Sequence, residues 1–122
     1  MNEKQMEVLE KAVEKYGKKA QVLQAVEELS ELIVELSESN EEIQNPQVTK
    51  AIKSMAKLIK LLNKNINRGQ NNIKDIILEI ADVQIMLYEL IIIYTKEDSD
   101  FGDKLLGAIE YKIQRLKKRM EV

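Results

Sequence analysis

The chain has 122 residues and a formal net charge of −2, and it contains no cysteine and no histidine. These absences exclude disulfides and thiolate metal sites, and they remove the commonest general base and the commonest zinc ligand. The length predicts a single domain over residues 1–122, and the small net charge argues against a general nucleic-acid or membrane-surface binder.

Apolar residues recur at helical spacing along nearly the whole chain, which predicts an all-α bundle of four or five helices. Asn2 is expected to cap the first helix at its N-terminus, and Gly17 is expected to end it. The predicted helices cover residues 3–16, 18–39, 47–66, 73–95 and 101–120.

The two middle breaks carry further helix-start signals. Asn45 is followed by Pro46, an arrangement typical of an N-cap with proline at the first helical position. Asn72 and Asp75 have the spacing of a capping box. Both breaks therefore predict that a new helix begins immediately after an asparagine.

The fourth predicted helix is the most apolar part of the chain. Its run 83–94 is shorter than a membrane span and is interrupted by Gln84 and Glu89. The three consecutive isoleucines 91–93 point in different directions around the helix, which favours a homo-oligomer, although a fully central helix has the same pattern. Because the charged N-terminal segment lacks an apolar signal region, a cytoplasmic location is expected.

Two pairs of acidic residues have i, i+3 spacing, so each pair shares a helix face. Glu28 and Glu31 lie in "EELSE", which also contains Glu27, and a solvated face explains this segment alone. Glu79 and Asp82 lie within the apolar fourth helix, where an unpaired charge is costly. Their partner is expected to be either a lysine or arginine, or a divalent cation held by both pairs, for which Mg²⁺ or Mn²⁺ is the natural choice without His or Cys.

The ordered set "EELSE" (27–31), "EIAD" (79–82) and "YKIQRLKKR" (111–119) resembles the MazG-like superfamily of all-α nucleoside triphosphate pyrophosphohydrolases. That superfamily includes dimeric dUTPases and phosphoribosyl-ATP pyrophosphohydrolases. The context of these motifs is similar to that of the small single-domain branch often seen in phages and Gram-positive bacteria. The resemblance implies Mg²⁺-dependent hydrolysis of a (deoxy)nucleoside triphosphate to the monophosphate and pyrophosphate, by a homodimer or homotetramer.

The resemblance also implies a role for individual residues. The acids that match the Mg²⁺ ligands are Glu28, Glu31, Glu79 and Asp82. Glu27 or Glu31 would act as the catalytic base, and Lys112 and Arg115 would contact phosphate. Gln24 and Tyr94 are candidates for nucleotide contacts, whereas a polar surface position and a place at the core edge are their ordinary structural explanations. A nucleotide-sensing module without catalysis and a structural oligomerisation module are the alternative functions.

The segment between the two acidic pairs is longer than is usual in the family, and residues 38–60 are interpreted as an insertion. If residues 47–66 form a full antiparallel helix, the second and fourth helices run parallel and their acids meet at one end. If the insertion only extends a hairpin, these helices run antiparallel and the acids meet near mid-height.

Overall fold

The computed structural model describes residues 1–42 and 44–121, and within them it contains five helices and no strand. All five predicted helices are confirmed, with boundaries that agree to within two residues. None of the helices in these ranges is long and apolar enough to cross a membrane. The helices are α1 (Glu3–Tyr16), α2 (Lys18–Asn40), α3 (Pro46–Arg68), α4 (Ile73–Thr95) and α5 (Phe101–Glu121).

The first two predicted N-caps are confirmed. The Gln5 backbone N–H donates to Asn2 Oδ1 at 2.8 Å, and the Asn2 backbone N–H donates to Gln5 Oε1 at 3.1 Å, which completes a capping box at α1. At α3, the Gln47 N–H donates to the Asn45 side chain at 2.9 Å, with Pro46 at the first helical position. These bonds satisfy backbone donors that have no partner within the helix.

The capping box expected at Asn72 and Asp75 is wrong. Asn72 is the N-cap of α4, but its side chain makes no capping hydrogen bond. It is buried and turned towards α3, where Asn72 Nδ2 donates to the Leu61 carbonyl oxygen at 2.9 Å and Asn65 Nδ2 donates to Asn72 Oδ1 at 3.3 Å. The tertiary contact therefore takes the side chain that the local pattern assigned to the helix end.

The core is built by three helices with α3 in the middle. The α3 helix packs along both α2 and α4, whereas in the described chain no Cα atom of α2 lies within 8 Å of one of α4. Short connections make α3 antiparallel to both neighbours, so α2 and α4 run parallel, and the alternative of an extended hairpin is wrong. The buried apolar cluster consists of Leu36, Val48, Ala51, Met55, Leu58, Val83 and Leu90.

The first and last helices pack against each other at one side of this core. They run parallel, because Gln5 Nε2 donates to Glu110 Oε2 at 2.6 Å while Lys15 Nζ donates to the Met120 carbonyl oxygen at 3.0 Å. Lys15 thus places a cation at the C-terminal end of α5, where the helix dipole favours one. Because α2 starts directly after α1, this pairing brings the first half of α2 near the second half of α5.

Candidate functional site

An open groove lies between α2 and α5, with a volume of about 380 Å³. On each helix the lining residues are three or four positions apart, so each set shares one face. Four residues expected at a nucleotide site from the sequence are brought together here, and a fifth, Arg119, was missed. The lining residues are Gln24, Glu28, Lys112, Arg115 and Arg119.

The groove is mainly cationic. Three cationic side chains of α5 face one carboxylate of α2. Glu28 Oε1 accepts a hydrogen bond from Gln24 Nε2 at 3.0 Å, and the Arg115 guanidinium carbon lies 5.7 Å from the centroid of the Tyr111 ring. A cation–π contact of this kind helps to orient an arginine while its N–H groups stay free to bind an anion.

A second depression of about 410 Å³ adjoins the first and shares Gln24 and Arg119 with it. Its other lining residues include Tyr16 and Leu116, which add an aromatic and an aliphatic surface next to the cationic groove. Arg119 follows Arg115 by four residues, so the i, i+4 spacing in "RLKKR" was the signal that places it on the same face. A cationic groove beside a depression with an aromatic and an aliphatic wall suits a ligand with a charged part and a flat part.

The acids of α2 and α4 have different surroundings. Glu27, Glu28 and Glu31 are exposed on α2, and Asp82 is exposed on α4. Glu79 is buried, and its Oε2 lies 3.5 Å from Lys57 Nζ of α3. The expectation that Glu79 needs a partner is met by a lysine, and that lysine is contributed by the helix that separates α2 from α4.

The two acidic pairs do not form one cluster. Within residues 1–42 and 44–121, no three acidic side chains are grouped so that they could hold a metal ion. The reason lies in the packing, because α3 occupies the space between α2 and α4. Glu28 lines the groove that faces α5, while Glu79 faces α3.

Tyr94 lies away from the groove, at the end of α4. Its ring stacks on Phe101 with centroids 5.9 Å apart and an interplanar angle of 26°, and it packs against the core cluster. The stacking joins the C-terminal end of α4 to the start of α5. This placement corresponds to the core-edge position that is the ordinary structural explanation for such a tyrosine.

The chain matches no known family model, and no curated protein or solved structure matches it significantly.

Proposed function

We propose that the chain binds a (deoxy)nucleoside triphosphate in the α2–α5 groove and hydrolyses it to the monophosphate and pyrophosphate, as a homo-oligomer in the cytoplasm. The observation that carries the proposal is the position of Lys112, Arg115 and Arg119 on one face of α5, opposite Gln24 and Glu28. The reaction itself comes from the resemblance to the MazG-like pyrophosphohydrolases.

The chemistry of the groove matches a polyphosphate. Arginine donates paired N–H groups to phosphate oxygens, and lysine supplies a compact charge, so the three cations of α5 would share the triphosphate. Tyr16 and Leu116 in the adjoining depression offer surfaces against which a nucleobase would stack. Gln24 lies between the two depressions and carries both a donor and an acceptor for a base or a sugar.

Magnesium is the expected cofactor, with manganese as a substitute, and when bound it would neutralise phosphate charge. The expected ligands are Glu28, Glu31, Glu79 and Asp82, with Glu27 or Glu31 as the base. Their placement in one chain does not fit a shared ion, because Glu79 is paired with Lys57 and no three acids within the described ranges are grouped for metal binding. The groove thus supports phosphate binding more directly than it supports metal binding.

The first test measures nucleotide affinity by calorimetry in Arg115→Gln and Lys112→Ala. Each variant loses a hydrogen bond to a charged group, which is worth about 1.5–3 kcal/mol, so the Kd should rise by about tenfold or more. Lys118→Ala is the matched control, because Lys118 is an exposed lysine of α5 that lines a different depression. If the control weakens binding as much as the two groove variants do, the α2–α5 groove is not the nucleotide site.

The second test measures the reaction. The wild-type protein with Mg²⁺ should release pyrophosphate, not orthophosphate, from a nucleoside triphosphate, and Glu31→Gln, which removes an expected catalytic base, should abolish this release while circular dichroism shows unchanged helicity. A panel of ribonucleotides and deoxyribonucleotides that yields no pyrophosphate in either Mg²⁺ or Mn²⁺ would overturn the hydrolase assignment. Binding without turnover would instead support a nucleotide-sensing module.

A structural oligomerisation module is the second candidate function, and the Glu79–Lys57 ion pair favours it. That pair gives the buried carboxylate a partner that needs no metal. For such a module, neither Mg²⁺ nor nucleotide should raise the melting temperature, whereas a nucleotide hydrolase should be stabilised by its substrate through linkage.

A further inference from the structure

The outer side of α4 is apolar and exposed. Seven large hydrophobic residues of this helix have exposed fractions between 40% and 70%. These residues are Ile73, Ile77, Leu78, Ile80, Ile85, Tyr88 and Ile92, and together they are called the outer face of α4.

The outer face is continuous and distinct from the side that packs on α3. At about 100° per residue, its members fall within an arc of about 160°. The buried residues of α4, which are Ile76, Glu79, Val83 and Leu90, lie on the other side of the helix. Lys74, near the start of the helix, is the one charged residue within this arc, and no charged residue between positions 77 and 92 lies in it. Hence α4 has two apolar sides, and the fold of one chain covers only one of them.

The exposed area is that of an interface. With about 200 Å² for a fully exposed residue of this size, the outer face presents roughly 800 Å² of mainly apolar surface, which exceeds the largest patch of an ordinary monomer. A stable complex buries about 800 Å² on each partner. The outer face alone therefore comes close to what one side of a stable dimer needs.

We propose that a second copy of this chain covers the outer face, by antiparallel packing of α4 on α4 about a two-fold axis that crosses the outer face at the height of residues 82 and 83. Such an isologous contact uses the same apolar patch on both copies. It also gives charge complementarity. Lys74 and Glu89 of the second copy lie on the same side of the contact between the helices, and their positions along the helix axis differ by only about 3 Å. The net charge of −2 per chain adds only weak repulsion between copies.

The association is tested by sedimentation equilibrium over a wide range of protein concentrations. The wild type should show twice the mass of the 14.1 kDa chain. Ile85→Glu and Tyr88→Glu should raise the dimer Kd by about tenfold or more, as expected for residues at the centre of an interface. Leu106→Glu is the matched control, because Leu106 is an equally exposed apolar residue of α5.

A wild type that stays monomeric at every concentration, or a control variant that dissociates the dimer as strongly as Ile85→Glu, would overturn the proposal. Because Ile85 and Tyr88 are exposed in the single chain, the helical signal of each variant should equal that of the wild type. A monomeric wild type would also remove the homo-oligomer from the proposed function, but the nucleotide assays of the groove do not depend on this result, so nucleotide binding and dimer formation fail separately.

The orientation is tested by disulfide cross-linking. Because the sequence contains no cysteine, an introduced cysteine can pair only with its counterpart in the second copy. In an antiparallel pair, residue 81 of each copy lies close to the two-fold axis, so Ala81→Cys should form a disulfide dimer under mild oxidation. The two copies of residue 92 lie roughly 30 Å apart along the axis, so Ile92→Cys should not. Efficient cross-linking of Ile92→Cys would indicate a parallel pair and would overturn the antiparallel arrangement.

Discussion

Replacing Lys57 with methionine tests whether the buried carboxylate of Glu79 depends on this lysine. Methionine keeps much of the aliphatic stem and the helix propensity of lysine but removes its charge. The Lys57 side chain is 70% exposed and the Glu79 side chain 6%, with 3.5 Å between Nζ and Oε2. The change therefore leaves the Glu79 carboxylate buried without its cation. Little packing is lost at position 57 itself, because that side chain is mostly exposed.

The magnitude follows from the distance and the exposure. Two unit charges 3.5 Å apart attract by about 1 kcal/mol in water and by about 5 kcal/mol at an effective dielectric constant of about 20. Because the ammonium group is mostly solvated, the value lies near the lower limit, as for other partly exposed ion pairs. We expect Lys57→Met to lower the free energy of unfolding by about 1–2 kcal/mol.

The assay is urea denaturation at pH 7, followed by circular dichroism. Lys60→Met is the matched control, because Lys60 is an exposed lysine of the same helix. The double variant Lys57→Met/Glu79→Met should recover most of the lost stability, since an apolar pair replaces a buried charge without leaving it unpaired. If Lys57→Met and Lys60→Met have the same small effect, the ion pair does not stabilise Glu79 and the reasoning is refuted.

The same variant distinguishes an ion pair from a metal site. If Glu79 binds Mg²⁺, the ion competes with Lys57 for one carboxylate, so Mg²⁺ should stabilise Lys57→Met more than the wild type. If Glu79 has only a structural role, adding Mg²⁺ should leave the stability loss of Lys57→Met unchanged. Denaturation curves with and without Mg²⁺ therefore decide which role Glu79 has.

Two further predictions concern the α1–α2 junction and the α1–α5 contact. Gly17 has φ +86°, and no heavy atom lies within 4 Å of the position that a β-carbon would occupy there, so Gly17→Ala should cost about 1–3 kcal/mol of stability in denaturation experiments, purely from backbone strain. Gly107→Ala, in the middle of α5 with equal space, should instead stabilise by up to about 1 kcal/mol, and equal effects of the two changes would contradict the strain. The hydrogen bond from Gln5, with a second from Gln114, holds the pKa of Glu110 below its usual value of 4.5. A lowered carboxyl pKa contributes stability that is present above the unfolded-state value and is lost as the pH falls through the folded-state value. The melting temperature of the wild type should therefore fall more steeply below about pH 4.5 than that of Glu110→Gln, and parallel pH profiles would exclude this contribution.

The helices and most of their ends follow from local sequence. The apolar periodicity places all five helices, and Asn2, Gly17 and Asn45 mark the starts and the stop where they were expected. These signals are readable because capping and helix periodicity depend on residues within one turn of each other. Asn72 is the exception, since a distant carbonyl group on α3 takes its side chain.

The relation between the helices needed the tertiary structure. Sequence spacing pairs Glu28 with Glu31 and Glu79 with Asp82, but it does not determine which helix faces each pair. The full length of α3 decides that, because it separates α2 from α4 and gives Glu79 a lysine partner. It was likewise the parallel packing of α1 on α5 that placed Lys112 and Arg115 across a groove from Gln24 and Glu28.

The sequence by itself thus determined the helical class, the helix boundaries and the candidate residues, since each depends on chemistry within a few neighbouring positions. Only the tertiary structure decided which of those residues line one groove and that the outer face of α4 is left uncovered. Both outcomes depend on burial and on contacts between residues far apart in the chain, and no short stretch of sequence contains that information.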